Sequence, residues 1–173
     1  MIKAGIIGGA GYTAGELIRI LINHPEVELD FVYSTSQPGK PVAGVHQDLL
    51  GEIDLQFTGD INKNADVVFL CLGHGNSIKF LAENQFSKKT KIVDLSTDYR
   101  MEGEHAFIYG LPEFNKEKIK KADFIANPGC FATAISLAIL PLAKAGLLQN
   151  EVHINAVTGA TGAGTSLSAT THF

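Results

Sequence analysis

Ile2-Lys3-Ala4-Gly5-Ile6-Ile7-Gly8-Gly9-Ala10-Gly11-Tyr12-Thr13-Ala14-Gly15 is the stretch that decides the fold. Ile2 to Ile7 is a short apolar run ending in glycines, so it reads as a buried strand. Thr13 to Asn23 reads as a helix, because Leu17, Ile18 and Leu21 recur at helical spacing and Asn23-His24-Pro25 closes it. Between the two, the glycines fit G-x-G-x-x-A from Gly9 and G-x-x-G-x-x-A from Gly8. Glycine is needed where the chain turns sharply and where backbone must approach a pyrophosphate closely. A helix beginning near Thr13 then offers unpaired N–H groups and the positive end of its dipole. The plain alternative is a tight turn with no ligand.

Outward from this unit, strand and helix patterns alternate. Val27, Leu29, Phe31 and Tyr33 are strand-like, and Ser34 to Asn64 is rich in turn residues with room for a small strand or two. Val67 to Leu72 is a second continuous apolar run, broken by Gly73 to Gly75. A helix over Ile78 to Asn84, a strand over Ile92 to Leu95, a short helix over Asn115 to Lys121 and a strand over Phe124 to Ala126 follow. Ala132 to Ala145 is a helix that Pro141 should kink or shorten. Strands that are apolar throughout, alternating with helices, belong to a doubly wound parallel sheet covered on both faces. Val152 to Val157 alternates like a strand with nothing after it to pair with. That places a first domain over 1–149 and the beginning of a second, truncated one over 150–173.

Composition narrows the function. The chain has 173 residues, 45% hydrophobic and 18% charged, enough for a core of its own and against disorder. No apolar run approaches the roughly 18 residues of a membrane span. A net charge of −4 and the absence of a Lys/Arg cluster argue against nucleic acid and anionic lipid. The densest basic stretch, Lys116, Lys118, Lys120 and Lys121, is interrupted by Glu117 and reads as a solvated helix face. With two cysteines and Met1-Ile2-Lys3 running straight into a strand pattern, no disulfide framework or signal peptide is expected, and the compartment expected is the reducing cytoplasm. The six histidines are scattered and neither cysteine has a partner at ligand spacing, so no metal site is expected.

The second strand bears on the nucleotide. Asp30 lies 19 residues after Gly11, near the spacing of a ribose-binding carboxylate, but the strand runs on to Tyr33 and leaves Asp30 short of the carboxyl end. Ser34, Thr35 and Ser36 stand at that end. Hydroxyls without negative charge welcome a 2′-phosphate, which favours NADP; the alternative is that they cap a turn.

Asn127-Pro128-Gly129-Cys130-Phe131-Ala132-Thr133 joins a strand to the long helix and leaves Cys130 at or just before its start. There the helix dipole favours the thiolate, and a thiolate at the carboxyl end of a parallel sheet is a candidate nucleophile. The alternative is a buried small hydrophobe, which is how Cys71, inside Val67 to Leu72, reads. His74, in Gly73-His74-Gly75 at a strand end, has the means to touch a cofactor, the equal alternative being a satisfied polar residue. His105, His153 and His172 are each candidates for an acid/base partner, and nothing singles one out.

Ile125 to Ala134 followed by Ala138-Ile139-Leu140-Pro141 resembles the active-site segment of the N-acetyl-gamma-glutamyl-phosphate reductases, a branch of the aspartate-semialdehyde-dehydrogenase-like enzymes. Gly8 to Glu16, Ile92 to Arg100 and Tyr109-Gly110-Leu111-Pro112-Glu113 carry the same resemblance, which extends over the whole chain. It implies an α/β fold: a Rossmann-like doubly wound parallel sheet with the start of a second, α+β catalytic domain. It implies Cys130 as nucleophile; Gly8, Gly11, Tyr12, Thr13 and Ala14 on the pyrophosphate of NADP; and Ser34, Thr35 and Ser36 near its 2′-phosphate. Arg100 resembles the arginine that receives the substrate phosphate, the alternative being a surface ion pair with Asp98 or Glu102. Gly162-Ala163-Gly164 resembles the loop approaching the nicotinamide. Gly73 stands where many members carry proline, and the family's catalytic histidine is expected beyond residue 173.

The implied reaction is NADPH-dependent reduction of a small acyl phosphate, N-acetyl-glutamyl 5-phosphate, to its semialdehyde through a cysteine thioester, in arginine biosynthesis. The implied assembly is a homo-oligomer when full length. Two alternatives stand beside it: an aspartate-semialdehyde dehydrogenase, and a non-catalytic NADP-binding or redox-sensing module.

Overall fold

The computed structural model describes residues 1–149 and 151–163. Its strands are β1 (Ile2–Ile7), β2 (Val27–Tyr33), β3 (Phe57–Thr58), β4 (Val67–Leu70), β5 (Lys91–Asp94), β6 (Ile108–Tyr109) and β7 (Phe124–Ala126). Its helices are α1 (Tyr12–Ile22), α2 (Ser77–Glu83), α3 (Pro112–Ile119) and α4 (Cys130–Lys144). The strands form one seven-stranded sheet in the order β3-β2-β1-β4-β5-β7-β6. Every pairing is parallel, so all strands end at the same edge. Strand order reverses between β1 and β4, the switch point where doubly wound sheets bind ligands.

Two apolar clusters cover the two faces. Ala4 and Ile6 of β1 pack with Ala14, Ile18 and Leu21 of α1 and with Val42, Leu49 and Phe57. Ile7 packs on the other side with Val68, Leu70, Ile92 and Phe31. The apparent alternation of β2 is broken by a bulge: Ala4 pairs with Leu29 but Gly5 pairs with Phe31, leaving Asp30 as the extra residue. The parity of the strand therefore flips. Leu29 and Val32 lie on the α1 side, whereas Phe31 and Tyr33 lie on the other. Gly5 makes this possible, since a Cβ there would fall 2.2 Å from the Phe31 ring.

Three expectations change. The edge strand β6, too short to show in the sequence, pairs with β7 and is flanked by Phe107, whose ring stacks on Tyr99 at 3.9 Å. The helix of residues 130–144 is not shortened at Pro141 but continues to Lys144. Residues 152–157 form no strand, and Val152, Ile154 and Val157 are exposed. Alternating residues specify only one side of a ladder; among the described residues no neighbouring strand completes the hydrogen bonds there.

Candidate active site

The loops leaving the sheet's carboxyl edge are fixed by ladder bonds that run past the strands. The Gly8 and Gly9 amides donate to Tyr33 O (3.1 and 2.8 Å), Cys71 N to Ile7 O (2.8 Å), Leu95 N to Leu70 O (3.0 Å) and Asn127 N to Asp94 O (2.7 Å). Each loop thus hangs on the strand beside it, and their order along the edge follows strand order.

At the β1–α1 turn, Gly8 has φ +81°, and a Cβ on it would meet Cys71 O at 2.6 Å. A Cβ on Gly9 would fall 2.2 Å from Val32 Cγ1. Neighbouring backbone leaves no room for a side chain at Gly8, and the Val32 side chain leaves none at Gly9. Gly11 caps α1 in extended conformation with no side-chain cap, and Gly15 N is the first amide to bond back, to Gly11 O at 3.1 Å. The amides of Tyr12, Thr13 and Ala14 are therefore the uncapped donors at the helix start. Beside them lies a cleft of about 260 Å³ lined by Gly8, Ala10, Gly11, Ser34 to Ser36 and Cys71 to Gly73. An open glycine backbone, an uncapped helix start and adjoining hydroxyls are a donor set that fits a dinucleotide phosphate.

Ser34 is buried, donates its amide to Thr58 O (3.1 Å) and sets its Oγ 3.3 Å from Ser36 Oγ, while Thr35 and Ser36 are exposed. Asp30 faces away from the cleft. Its carboxylate accepts from Asn62 Nδ2 at 2.7 Å and lies 3.8 Å from Lys3 Nζ.

Cys130 is the first residue of α4, capped by Gly129, and it is exposed. Thr133 seals the junction by donating both its amide and Oγ1 to Gly129 O, each at 2.9 Å. Arg100 stands beside this turn: Nε donates to Asn127 O (2.8 Å) and Nη2 to Leu95 O (2.7 Å). Its Nη1 lies where it would be 3.0 Å from a Cβ on Gly129. Among the described residues Arg100 has no ion-pair partner, so the pairing with Asp98 or Glu102 does not form. Cys71 differs from Cys130. Burial, reinforced by the Asp94 carboxylate, pushes its thiol up to about 12.

Asp98 is occupied elsewhere. It accepts from the amides of Gly75 (2.6 Å), Ser77 (2.9 Å) and Ile78 (3.2 Å), capping α2. Partial burial pulls its pKa up, but these N–H donors outweigh that and hold it below the usual carboxylate value. Buried Asp94 accepts from Ser77 Oγ (2.5 Å) and Ser96 Oγ (2.7 Å), joining the loops after β4 and β5. His74 Nδ1 accepts from Thr97 N at 3.2 Å, so that ring serves the same junction.

Sequence reasoning missed Asp94, the capping role of Asp98 and the buried His46, whose Nε2 lies 2.8 Å from Gly9 O. A glycine in mid-helix at position 15 was the available signal for His46. His105 bonds Met101 O through Nε2 and accepts from Phe107 N, and His153 lies exposed beside Glu151. Gly162 is exposed in a short 3-10 turn, where its amide donates to Gly159 O at 3.0 Å. Gly164 and His172 lie outside the described residues.

Comparison with known proteins agrees with this architecture. Residues 3–122 match the family model of the semialdehyde dehydrogenase NAD binding domain, and residues 130–173 that of the semialdehyde dehydrogenase dimerisation domain. The whole chain is 74% identical to 54% of an N-acetyl-gamma-glutamyl-phosphate reductase of Christiangramia forsetii, and 64% identical to 55% of one from Flavobacterium johnsoniae. It spans about half the length of these curated relatives. Among solved structures, aspartate semialdehyde dehydrogenase with NADP from Candida albicans shares the fold at TM-score 0.60 and 19% identity, over 86% of this chain and 48% of that one. Aspartate semialdehyde dehydrogenase II of Vibrio cholerae does so at TM-score 0.62 and 17% identity, over 84% and 43%. An all-parallel sheet, a glycine turn at its switch point and a family model over most of its length together make this chain a member of the semialdehyde dehydrogenase family.

Proposed function

We propose that the chain is the cofactor-binding portion of an NADPH-dependent reductase that converts N-acetyl-glutamyl 5-phosphate to N-acetyl-glutamate 5-semialdehyde, releasing phosphate, in arginine biosynthesis. Residues 1–149 are the dinucleotide-binding unit and 150–173 open a substrate and association domain of a cytoplasmic homo-oligomer. The observation that carries the reading is Cys130, exposed as the first residue of α4 with the Arg100 guanidinium beside its turn. The high identity to reductases of that name supports the substrate.

Cys130 Sγ, as thiolate, attacks the acyl carbon and forms a thioester as the C–O bond to phosphate breaks. Its place as the exposed first residue of α4 leaves the sulfur open to the acyl carbon. Arg100 holds the departing phosphate. Two of its nitrogens are already tied to Leu95 O and Asn127 O, which fixes the plane of the guanidinium and leaves Nη1 toward the Cys130 turn. The backbone of Gly8 and Gly11 and the amides of Tyr12, Thr13 and Ala14 hold the cofactor diphosphate, with Ser34, Thr35 and Ser36 on its 2′-phosphate and Gly162 near its nicotinamide. When bound, that cofactor supplies the hydride that the thioester accepts. Return of the thiolate follows because sulfur is a good leaving group as well as a strong nucleophile.

Mixing the chain with the acyl phosphate and mapping adducts by mass spectrometry tests the nucleophile. An acyl group on Cys130, absent after Cys130→Ala, is expected; an adduct on Cys71, or none, overturns the assignment and favours a non-catalytic module. Fluorescence titration tests the cofactor: NADPH should bind more tightly than NADH, and the reverse order overturns the role of Ser34 to Ser36.

A further inference from the structure

We infer that His46 is a positioning residue for the Gly8–Gly11 turn, an imidazole from a distant segment that sets where the turn's backbone lies and so how tightly it holds a dinucleotide diphosphate. This rests on the reading of that turn as the dinucleotide site.

His46 is only 7% exposed, and its Nε2 lies 2.8 Å from Gly9 O. A carbonyl only accepts, so Nε2 carries the proton and donates. Gly9 is thereby held at both ends, its amide on Tyr33 O at 2.8 Å and its carbonyl on His46. The other side of the ring rests on α1. A Cβ on Gly15 would fall 2.6 Å from His46 Nδ1 and 2.8 Å from Cε1. Glycine is the least favourable helix-interior residue short of proline, and Gly15 has an ordinary helical φ, so the space for this ring is what it provides. The imidazole is a wedge between the two parts that face the phosphates, the glycine backbone and the helix start.

The wedge is itself anchored. His46 N donates to Val42 O and Leu49 N to His46 O, both at 3.0 Å, and Val42 and Leu49 are buried in the core against α1. Asp48 grips the same helix through a bidentate pair with Arg19. None of this segment lines the cleft, so its effect reaches a ligand only through the turn.

Fluorescence titration of the chain with NADPH, beside 2′-AMP as a probe that shares the 2′-phosphate but lacks the diphosphate, tests the role. His46→Ala should weaken NADPH binding about 10-fold and leave 2′-AMP unchanged, because only the diphosphate meets the turn. His46→Gln, which keeps a donor of similar reach, should restore NADPH affinity to within about 3-fold. Hydrogen exchange of the residue 8–13 amides without nucleotide should quicken in His46→Ala and return toward normal in His46→Gln. Gly15→Ala pushes the ring out from the helix side with His46 intact and should reproduce the loss, which keeps the test sound if His46→Ala does not fold. Equal weakening of both probes, or unchanged NADPH binding and exchange, overturns the inference alone. Failure of the unaltered chain to bind NADPH overturns the dinucleotide reading and this inference with it.

Discussion

Two strand-to-helix junctions at the same edge of the sheet use the same local device and receive opposite support. At β1–α1 and at β7–α4 a parallel strand ends, glycine caps the next helix without a side chain, and a helix starts with free N–H groups. The first junction is enclosed. Gly8 and Gly9 leave no room for a Cβ, His46 closes one side, and α1 buries Ala14, Gly15, Ile18 and Leu21. The second is open. Cys130 is exposed, no residue of the strongly apolar α4 is buried, and Phe131, Leu137 and Leu142 face outward. The lesson is that capping geometry places a group at the edge, whereas packing decides whether that group is inert or available. Between β1 and β7 lie three strand spacings, roughly 14 Å at the usual separation.

The cysteines give the largest expected contrast. Half-buried Cys71 has its thiol pushed up to about 12 by desolvation, so little of it is thiolate at neutral pH. Iodoacetamide near neutral pH, followed by peptide mass spectrometry, should therefore label Cys130 and leave Cys71 intact; equal labelling would erase the distinction. An unfolded chain loses the Cys71 proton near its ordinary pKa while the folded chain keeps it, so stability should fall as pH rises from about 9 toward 12. Denaturation in the Cys71→Ala variant should lack that part of the alkaline slope.

Ile18→Ala removes a fully buried side chain of α1 and should cost about 2–5 kcal/mol in denaturant unfolding, whereas Leu137→Ala on exposed α4 should cost under about 1 kcal/mol. Comparable losses would mean that α4 is as well supported as α1. The caps separate in the same direction. Gly8→Ala forces a side chain into a positive φ and against Cys71 O, for about 2–3 kcal/mol. Gly129 has φ −70°, which alanine adopts freely, and among the described residues a Cβ there would meet only Arg100, 3.0 Å from Nη1, so Gly129→Ala should change stability by less than about 1 kcal/mol. Asp98→Ala, which strips the cap of α2 between the two junctions, should cost about 1–2 kcal/mol. Its thermal unfolding should also lose an acid limb: the lowered Asp98 pKa stabilises above the ordinary carboxylate range and is forfeited as pH falls through it.

Local patterning carried the secondary structure a long way. The strands over Ile2–Ile7, Val27–Tyr33 and Phe124–Ala126 follow from apolar runs bounded by glycine, proline or polar turns, and the structure has the same limits. Cys130 was legible at its helix start because Pro128-Gly129 leaves the chain no other local choice. The same reasoning failed at 152–157, where alternation without a neighbour makes no strand, and at β6, whose two residues are held by β7 rather than by any pattern of their own.

By itself, then, the sequence determined the order of strands and helices, the glycine turn after the first strand and the position of the sulfur, since each depends on residues a few places apart. Only the tertiary structure decided that Asp30 turns away as a bulged residue, that Arg100 is steadied by Leu95 O and Asn127 O, and that His46 supports Gly9 from 37 residues downstream. Those outcomes depend on register and on which carbonyls are left over once the sheet has formed. Hydrogen-bonding capacity is written into every residue, but the partner exists only when distant backbone is brought alongside.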